Sequence, residues 1–129
     1  MNGRSSQDLL ALGDSALGRA ASASAEVIAA EEVTELTRFA GNLIHQSVAE
    51  RSLRLRARVI GDNRVGVAEI RGDGADSASR VMASADEARR LSEAGTPSPL
   101  PAPDGGADTP VAYSDTTADA NSSGASRRR

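Results

Sequence analysis

The chain has no cysteine, no lysine and no tryptophan, and it carries one phenylalanine, one tyrosine and one histidine. Without cysteine it cannot form disulfides, thiolate zinc sites or a cysteine nucleophile. Without lysine it cannot form a P-loop, so we interpret the glycine-bearing stretches GDNRVG and RGDGAD as turns rather than phosphate loops. These absences exclude most of the compact sequence signatures that identify an active site.

A net positive charge and long apolar runs are also missing. The formal net charge is −3 and the isoelectric point is about 5.1, whereas nucleic-acid-binding proteins usually present a net basic face. No stretch approaches the roughly 20 apolar residues of a membrane span, and the N-terminal sequence does not resemble a signal peptide. We therefore expect a cytoplasmic protein that binds neither nucleic acid nor membrane.

Proline divides the chain in two. All five prolines lie beyond residue 96, in a stretch with too little apolar content to pack. We therefore predict a folded domain over residues 1–95 and a flexible, disordered Pro/Gly/Ser-rich linker and tail over residues 96–129.

Two helices are predicted at the ends of the folded region. The first starts at Ser5 or Ser6, where side chains can cap free amides, and keeps a helical apolar spacing to about Ala21. The second covers residues 76–94 and has Gly95 where a C-terminal cap belongs.

Between the helices the hydrophobic period changes from 3.6 to 2. Residues 53–60 alternate apolar side chains with arginines, which predicts a half-buried strand. A turn follows, and residues 64–70 return as the second strand of a hairpin. Further strands are predicted at 26–30, 34–40 and 43–52. Together these patterns predict an α+β fold: an N-terminal helix, an antiparallel meander of about four strands, and a second helix.

The lone His45 is the first candidate site residue. A catalytic zinc needs several converging ligands, and a catalytic triad needs a positioned serine, but no G-x-S-x-G elbow exists. We interpret His45 as a structural or surface residue, with substrate contact as the alternative. No catalytic residue, metal ligand or cofactor is predicted in this chain.

A second candidate is the stripe formed by Arg54, Arg56 and Arg58 on one face of the predicted strand. One interpretation is a solvated face whose arginines pair across strands with nearby glutamates. The alternative is an interaction surface for an acidic peptide or a phosphate. The glutamates available for pairing are Glu26, Glu31, Glu32, Glu35 and Glu50.

The stretch ELTRFAGNLIHQSVAERS, followed after LRLRARV by a turn and RVGVAEI, resembles the N-terminal domain of the TldD/PmbA metallopeptidase family. The resemblance extends from residue 7 to about residue 120, and its order of elements agrees with the one predicted above. The hairpin that carries the family motif contains Arg38, Phe39, Asn42, His45 and Gln46.

The resemblance implies a cytoplasmic zinc-dependent peptidase that acts on peptides as a heterodimer of two similar subunits. In that family the catalytic subunit carries an H-E-x-x-x-H motif, in which two histidines hold zinc and the glutamate activates water. This motif is absent from the 129 residues, so we expect a truncated member that is inactive alone. The alternatives are a stand-alone peptide- or protein-binding module that uses the arginine stripe, or a non-functional remnant.

Overall fold

A computed structural model describes residues 3–21, 24–72 and 74–102. The chain divides into two compact units. We call Arg4–Glu31 together with Ser52–Pro101 the core unit, and Glu32–Arg51 the hairpin unit. The elements in chain order are α1 (Ser6–Leu17), β1 (Ser24–Ala40), β2 (Leu43–Gly61), β3 (Arg64–Arg71) and α2 (Ser77–Leu91).

The α+β class is confirmed, but the strand number was wrong. The described residues form one antiparallel sheet of three strands in the order β1-β2-β3, not a meander of about four. Residues 26–30 and 34–40 belong to a single strand, and so do 43–52 and 53–60. No glycine, proline, asparagine or aspartate separates either pair, so neither junction offers the residues on which turns are built.

Helix α1 begins where the cap residues predicted it. The Ser5 hydroxyl accepts a hydrogen bond from the Asp8 backbone N–H, and the Asp8 carboxylate accepts one from the Ser5 backbone N–H, which completes a capping box. Hydrogen bonds from Ser5 to the Asp8 carboxylate lower the pKa of Asp8 below its usual 3.8. The helix ends at Leu17 with Gly18 as its cap, about one turn short of the predicted end at Ala21.

The core lies between one face of β2 and helix α2. Leu53, Leu55, Ala57 and Val59 alternate along β2 and are all buried, as the period-2 pattern predicted. Helix α2 covers them with buried residues at the spacing of one helical face, and Ala16 of α1 joins the same cluster. The α2 residues of this core are Ala78, Val81, Met82 and Ala85.

Gly66 on β3 is the point of closest approach between the sheet and α2. It pairs with Val59 of β2 and is buried. A Cβ atom at this position would overlap the backbone oxygen of Ala85 and would lie 2.8 Å from the Arg89 Cα. Only glycine therefore lets α2 lie against the sheet at this distance.

A network of charged groups joins α2 to the β2–β3 turn. The Arg89 guanidinium donates to Asp86 at 3.0 Å and to Asp62 at 3.0 Å, and Arg90 donates to Asp86 at 2.5 Å. The hydrogen bond to the buried Asp86 carboxylate raises the pKa of Arg89 above its usual range. The carboxylate of Asp86 is thus satisfied although it is almost completely buried.

Helix α2 ends at Leu91 with Ser92 as its cap, earlier than the predicted end at Ala94. Gly95, which we predicted as the cap, instead donates its backbone N–H to the Asn63 carbonyl at 2.7 Å. This bond fastens the segment that leaves α2 to the β2–β3 turn. The disordered tail predicted from residue 96 falls largely on residues 103–129, outside the described residues, and the boundary at residue 95 stays a prediction.

Both hairpin turns use residues that tolerate a positive φ. Gly41 and Asn42 have φ values of 56° and 59°, and Asp62 and Asn63 have values of 53° and 55°. Two consecutive positive φ values are the mark of type I′ turns, whose twist suits paired antiparallel strands. In the part of the chain that the structure describes, no helix is long and apolar enough to cross a membrane.

Candidate functional site

The residues of the family-motif hairpin lie in the hairpin unit, around the Gly41–Asn42 turn. Arg38, Phe39, Asn42, His45 and Gln46 are all exposed. The His45 ring approaches the Ala40 carbonyl at 3.1 Å between Nε2 and the oxygen, so in the tautomer with Nε2–H it donates to the backbone beside the turn. That contact gives His45 a local structural partner.

The hairpin unit also exposes large apolar side chains. Phe39 has 57% of its surface exposed and Leu43 has 68%. Isolated exposed apolar residues are ordinary on a protein surface, whereas a group of them on one element marks an interaction surface. The exposed large apolar residues of this unit are Val33, Leu36, Phe39, Leu43, Ile44 and Val48.

The arginine stripe lies in the core unit, on the sheet face that points away from α2. Arg54, Arg56 and Arg58 alternate with the buried residues of β2, as predicted. The register places Arg54 opposite Arg71 and Arg56 opposite Glu69 on β3. Like charges directly opposite each other on a sheet are destabilising, so the position of Arg71 concentrates positive charge on this face.

Ion pairs neutralise only part of this face within the described residues. The Glu69 carboxylate, opposite Arg56, pairs with Arg71 at 3.4 Å, and neither Arg54 nor Arg56 forms an ion pair there. Of the glutamates proposed as partners within the core unit, Glu31 pairs with Arg4 at 2.9 Å and Glu26 pairs with none of the three arginines. Among the described residues, the guanidinium groups of Arg54 and Arg56 therefore have no compensating carboxylate.

Arg58 differs from the other two arginines. Its guanidinium donates to the Ser98 carbonyl at 2.7 Å. Pro97 and Leu100 on either side of Ser98 are half-buried. The segment after α2 thus reaches the arginine face, a contact that no sequence pattern indicated.

The described residues contain no group of three or more His, Cys, Asp or Glu side chains that could hold a metal ion.

Sequence reasoning missed a groove between α1 and β1. It has a volume of about 450 Å³, within the range of ligand-binding clefts. Leu9, Leu10 and Leu17 belong to the apolar spacing that predicted α1, and all three line the groove. The sequence does contain one signal for this groove. The apolar stripe of α1 is wider than packing against a single neighbouring surface requires.

Neither a scan against protein-family models nor a search of curated proteins found a match for this chain.

Proposed function

We propose that this chain is the N-terminal domain of a TldD/PmbA-like zinc metallopeptidase subunit, cytoplasmic, with a homologous subunit as its partner. Its role is to shape the access of peptide substrates and to help subunits associate, without contributing catalytic groups of its own. The 129 residues do not contain the H-E-x-x-x-H motif, which holds zinc in the family's catalytic subunits. Support comes from the resemblance of residues 35–70 and from an order of elements, helix, three strands and helix, compatible with it.

The observation that carries the association role is the apolar surface of the hairpin unit. Phe39 and Leu43 flank the Gly41–Asn42 turn and are both more than half exposed. Burying such side chains against a partner is worth about 25 cal/mol per Å² of apolar area. A strand-and-turn segment with six exposed large apolar residues is therefore stabilised when another protein covers these side chains.

We expect the chain to co-purify with a full-length TldD/PmbA-type subunit. The double substitution Phe39→Ser with Leu43→Ser should weaken the affinity of that complex at least about tenfold, because each serine removes apolar area from the contact. Co-expression with a tagged subunit followed by biolayer interferometry measures the effect. The matched control is Val67→Ser with Leu91→Ser, which removes exposed apolar side chains of the core unit and should leave affinity unchanged.

Two further measurements decide the proposal. Failure of the chain to associate with either subunit type of the family would overturn the association role. Stoichiometric zinc in the purified chain, with peptide hydrolysis that a chelator abolishes, would contradict the absence of catalytic groups. Reading the downstream DNA for an H-E-x-x-x-H frame tests the family assignment independently of both.

A second candidate function, a peptide- or protein-binding module, is favoured by the arginine face. Arg54 lies opposite Arg71, and neither Arg54 nor Arg56 has an ion-pair partner in the described residues. An acidic extended peptide would relieve this repulsion and would gain charge-assisted hydrogen bonds from the guanidinium groups. On this hypothesis the partner is recognised by its carboxylates, and binding weakens as salt rises.

We expect the double variant Arg54→Ser with Arg56→Ser to bind a fluorescein-labelled peptide of alternating glutamate and threonine at least about threefold more weakly, since exposed ion pairs contribute about 0.2–1 kcal/mol each. This variant leaves the Arg58–Ser98 hydrogen bond in place. Fluorescence anisotropy at two salt concentrations gives the measurement. Arg19→Ser with Arg80→Ser removes the same charge from positions outside the sheet as a control, and equal losses in both variants would defeat this hypothesis.

A further inference from the structure

The groove between α1 and β1 has one helical wall and one strand wall, both in the core unit. Leu9, Leu10, Gly13 and Leu17 recur on one face of α1 and line it, and Val27 and Ile28 line it from β1. The adjacent side of α1 packs into the core through Leu12 and Ala16. Helix α1 thus carries one broad apolar stripe, and only part of it packs into the core.

The strand wall is also an edge of the sheet. The strand order β1-β2-β3 leaves the outer side of β1 without a neighbouring strand in the described residues. Backbone N–H and C=O groups on such an edge can pair with an added strand, and edge strands next to apolar pockets are a recurring way of binding extended peptides. Alternate side chains of an added strand would reach the groove while its backbone bonds to β1.

Charge around the groove determines which peptide it suits. Asp14 of α1 lies among the lining residues, and Glu26 precedes the part of β1 that lines it. Neither carboxylate forms an ion pair within the described part of the chain, and no arginine lines the groove. A lysine or arginine on the added strand would meet these carboxylates, whereas an acidic strand would be repelled.

The same charges disfavour a second copy of this chain. The part of β1 that belongs to the core unit, residues 24–31, holds two glutamates and no basic residue. Pairing β1 with another β1 would bring two acidic strands together, which is how natural edge strands resist self-association. A basic partner strand removes this repulsion.

We propose that the groove between α1 and β1 binds an extended peptide segment of alternating apolar and basic residues, which adds to the sheet along the outer edge of β1. Its apolar side chains occupy the space beside Leu10 and Leu17, and a basic side chain pairs with Asp14. The proposal is independent of the family assignment, since it rests on the core unit alone.

Gly13 provides the test. A Cβ atom at Gly13 or at Gly95 would have nothing within 4 Å, so Gly13→Phe places a ring in the groove, and Gly95→Phe, outside the groove lining, is its matched control. The probe is a short capped, fluorescein-labelled peptide of alternating valine and lysine, titrated against the full chain by anisotropy. We expect Gly13→Phe to weaken binding at least about tenfold, and Gly95→Phe to bind like the unaltered chain.

Circular dichroism tests whether the Gly13→Phe variant is folded. If that variant does not fold, Leu10→Ser replaces it, at a side chain that is 68% exposed. Hydrogen exchange should show the amides of residues 27–29 slowed by the probe. Asp14→Asn should reduce the salt dependence of binding, with Glu93→Gln, at an exposed residue outside the groove lining, as the control for lost charge.

Three outcomes overturn the proposal. Equal affinity of the Gly13→Phe variant and the unaltered chain would place the peptide elsewhere. Equal binding of a valine–glutamate peptide would remove the charge argument. Self-association of the chain without peptide, abolished by Gly13→Phe, would show that a second copy occupies the groove.

Discussion

Replacing Gly66 with alanine is expected to lower the free energy of unfolding by at least about 3 kcal/mol, the upper end of the usual cost of overpacking. The added methyl would overlap the Ala85 backbone oxygen and would lie 2.8 Å from the Arg89 Cα. Both obstacles are helix backbone, which cannot rotate away as a long side chain can. Helix α2 would have to move off the sheet, and the core would lose contacts along the whole interface.

Urea unfolding followed by circular dichroism measures this effect. Gly13→Ala is the control because it adds the same methyl where no atom lies within 4 Å. In the interior of α1 it should stabilise by about 0.5–1 kcal/mol, since glycine in a helix is less favourable than alanine. Opposite signs for the two substitutions are expected, and a Gly66→Ala variant as stable as the parent would mean that α2 does not lie this close to the sheet.

Local patterns predicted those parts of the fold that depend on neighbours in sequence. The alternation of residues 53–60 correctly placed Leu55 in the core and Arg56 on the opposite face, because side chains of a strand alternate between faces. The cap at Ser5 was also predictable, since Ser and Asp near a helix start bond to backbone groups within the same turn.

Features that depend on distant contacts were not predictable. Nothing in the sequence marks Gly66 as the contact point of α2, and the lengths of β1 and β2 depend on pairing across the sheet rather than on local propensity. Gly95 was expected to cap α2, but its N–H bonds to Asn63, a tertiary contact that competes with the helix end.

The candidate sites also combine features that local patterns predicted with features that depend on distant contacts. The exposed arginine stripe followed from periodicity alone, but the surroundings of its arginines required the register that sets Arg54 opposite Arg71 and Arg56 opposite Glu69. The groove lies between two elements, and leucines of α1 that suit a core-facing stripe suit a groove equally well. Sequence reasoning therefore identified the side chains but not the surfaces that they form.

Truncating Leu55 to alanine is expected to cost about 2–5 kcal/mol of unfolding free energy, as for other fully buried leucines. Leu55 has no exposed surface, and it sits in a core without aromatic residues, where few large side chains fill the space. Because the neighbouring Ala57 and Ala85 are small, they cannot move to refill the cavity. Native domains are only about 5–15 kcal/mol stable, so this loss is a large fraction of the total.

The matched control is Leu91→Ala, which makes the same chemical change at a side chain that is 80% exposed. It should alter the unfolding free energy by no more than about 0.5 kcal/mol, because surface substitutions seldom exceed that value. Urea midpoints of both variants give the comparison. If the two losses were equal, the sheet face that carries Leu55 would not be packed against α2. A large difference would show that stability depends on the packing between β2 and α2. The same packing orients the arginine face, since Arg54 and Arg56 flank Leu55 on β2.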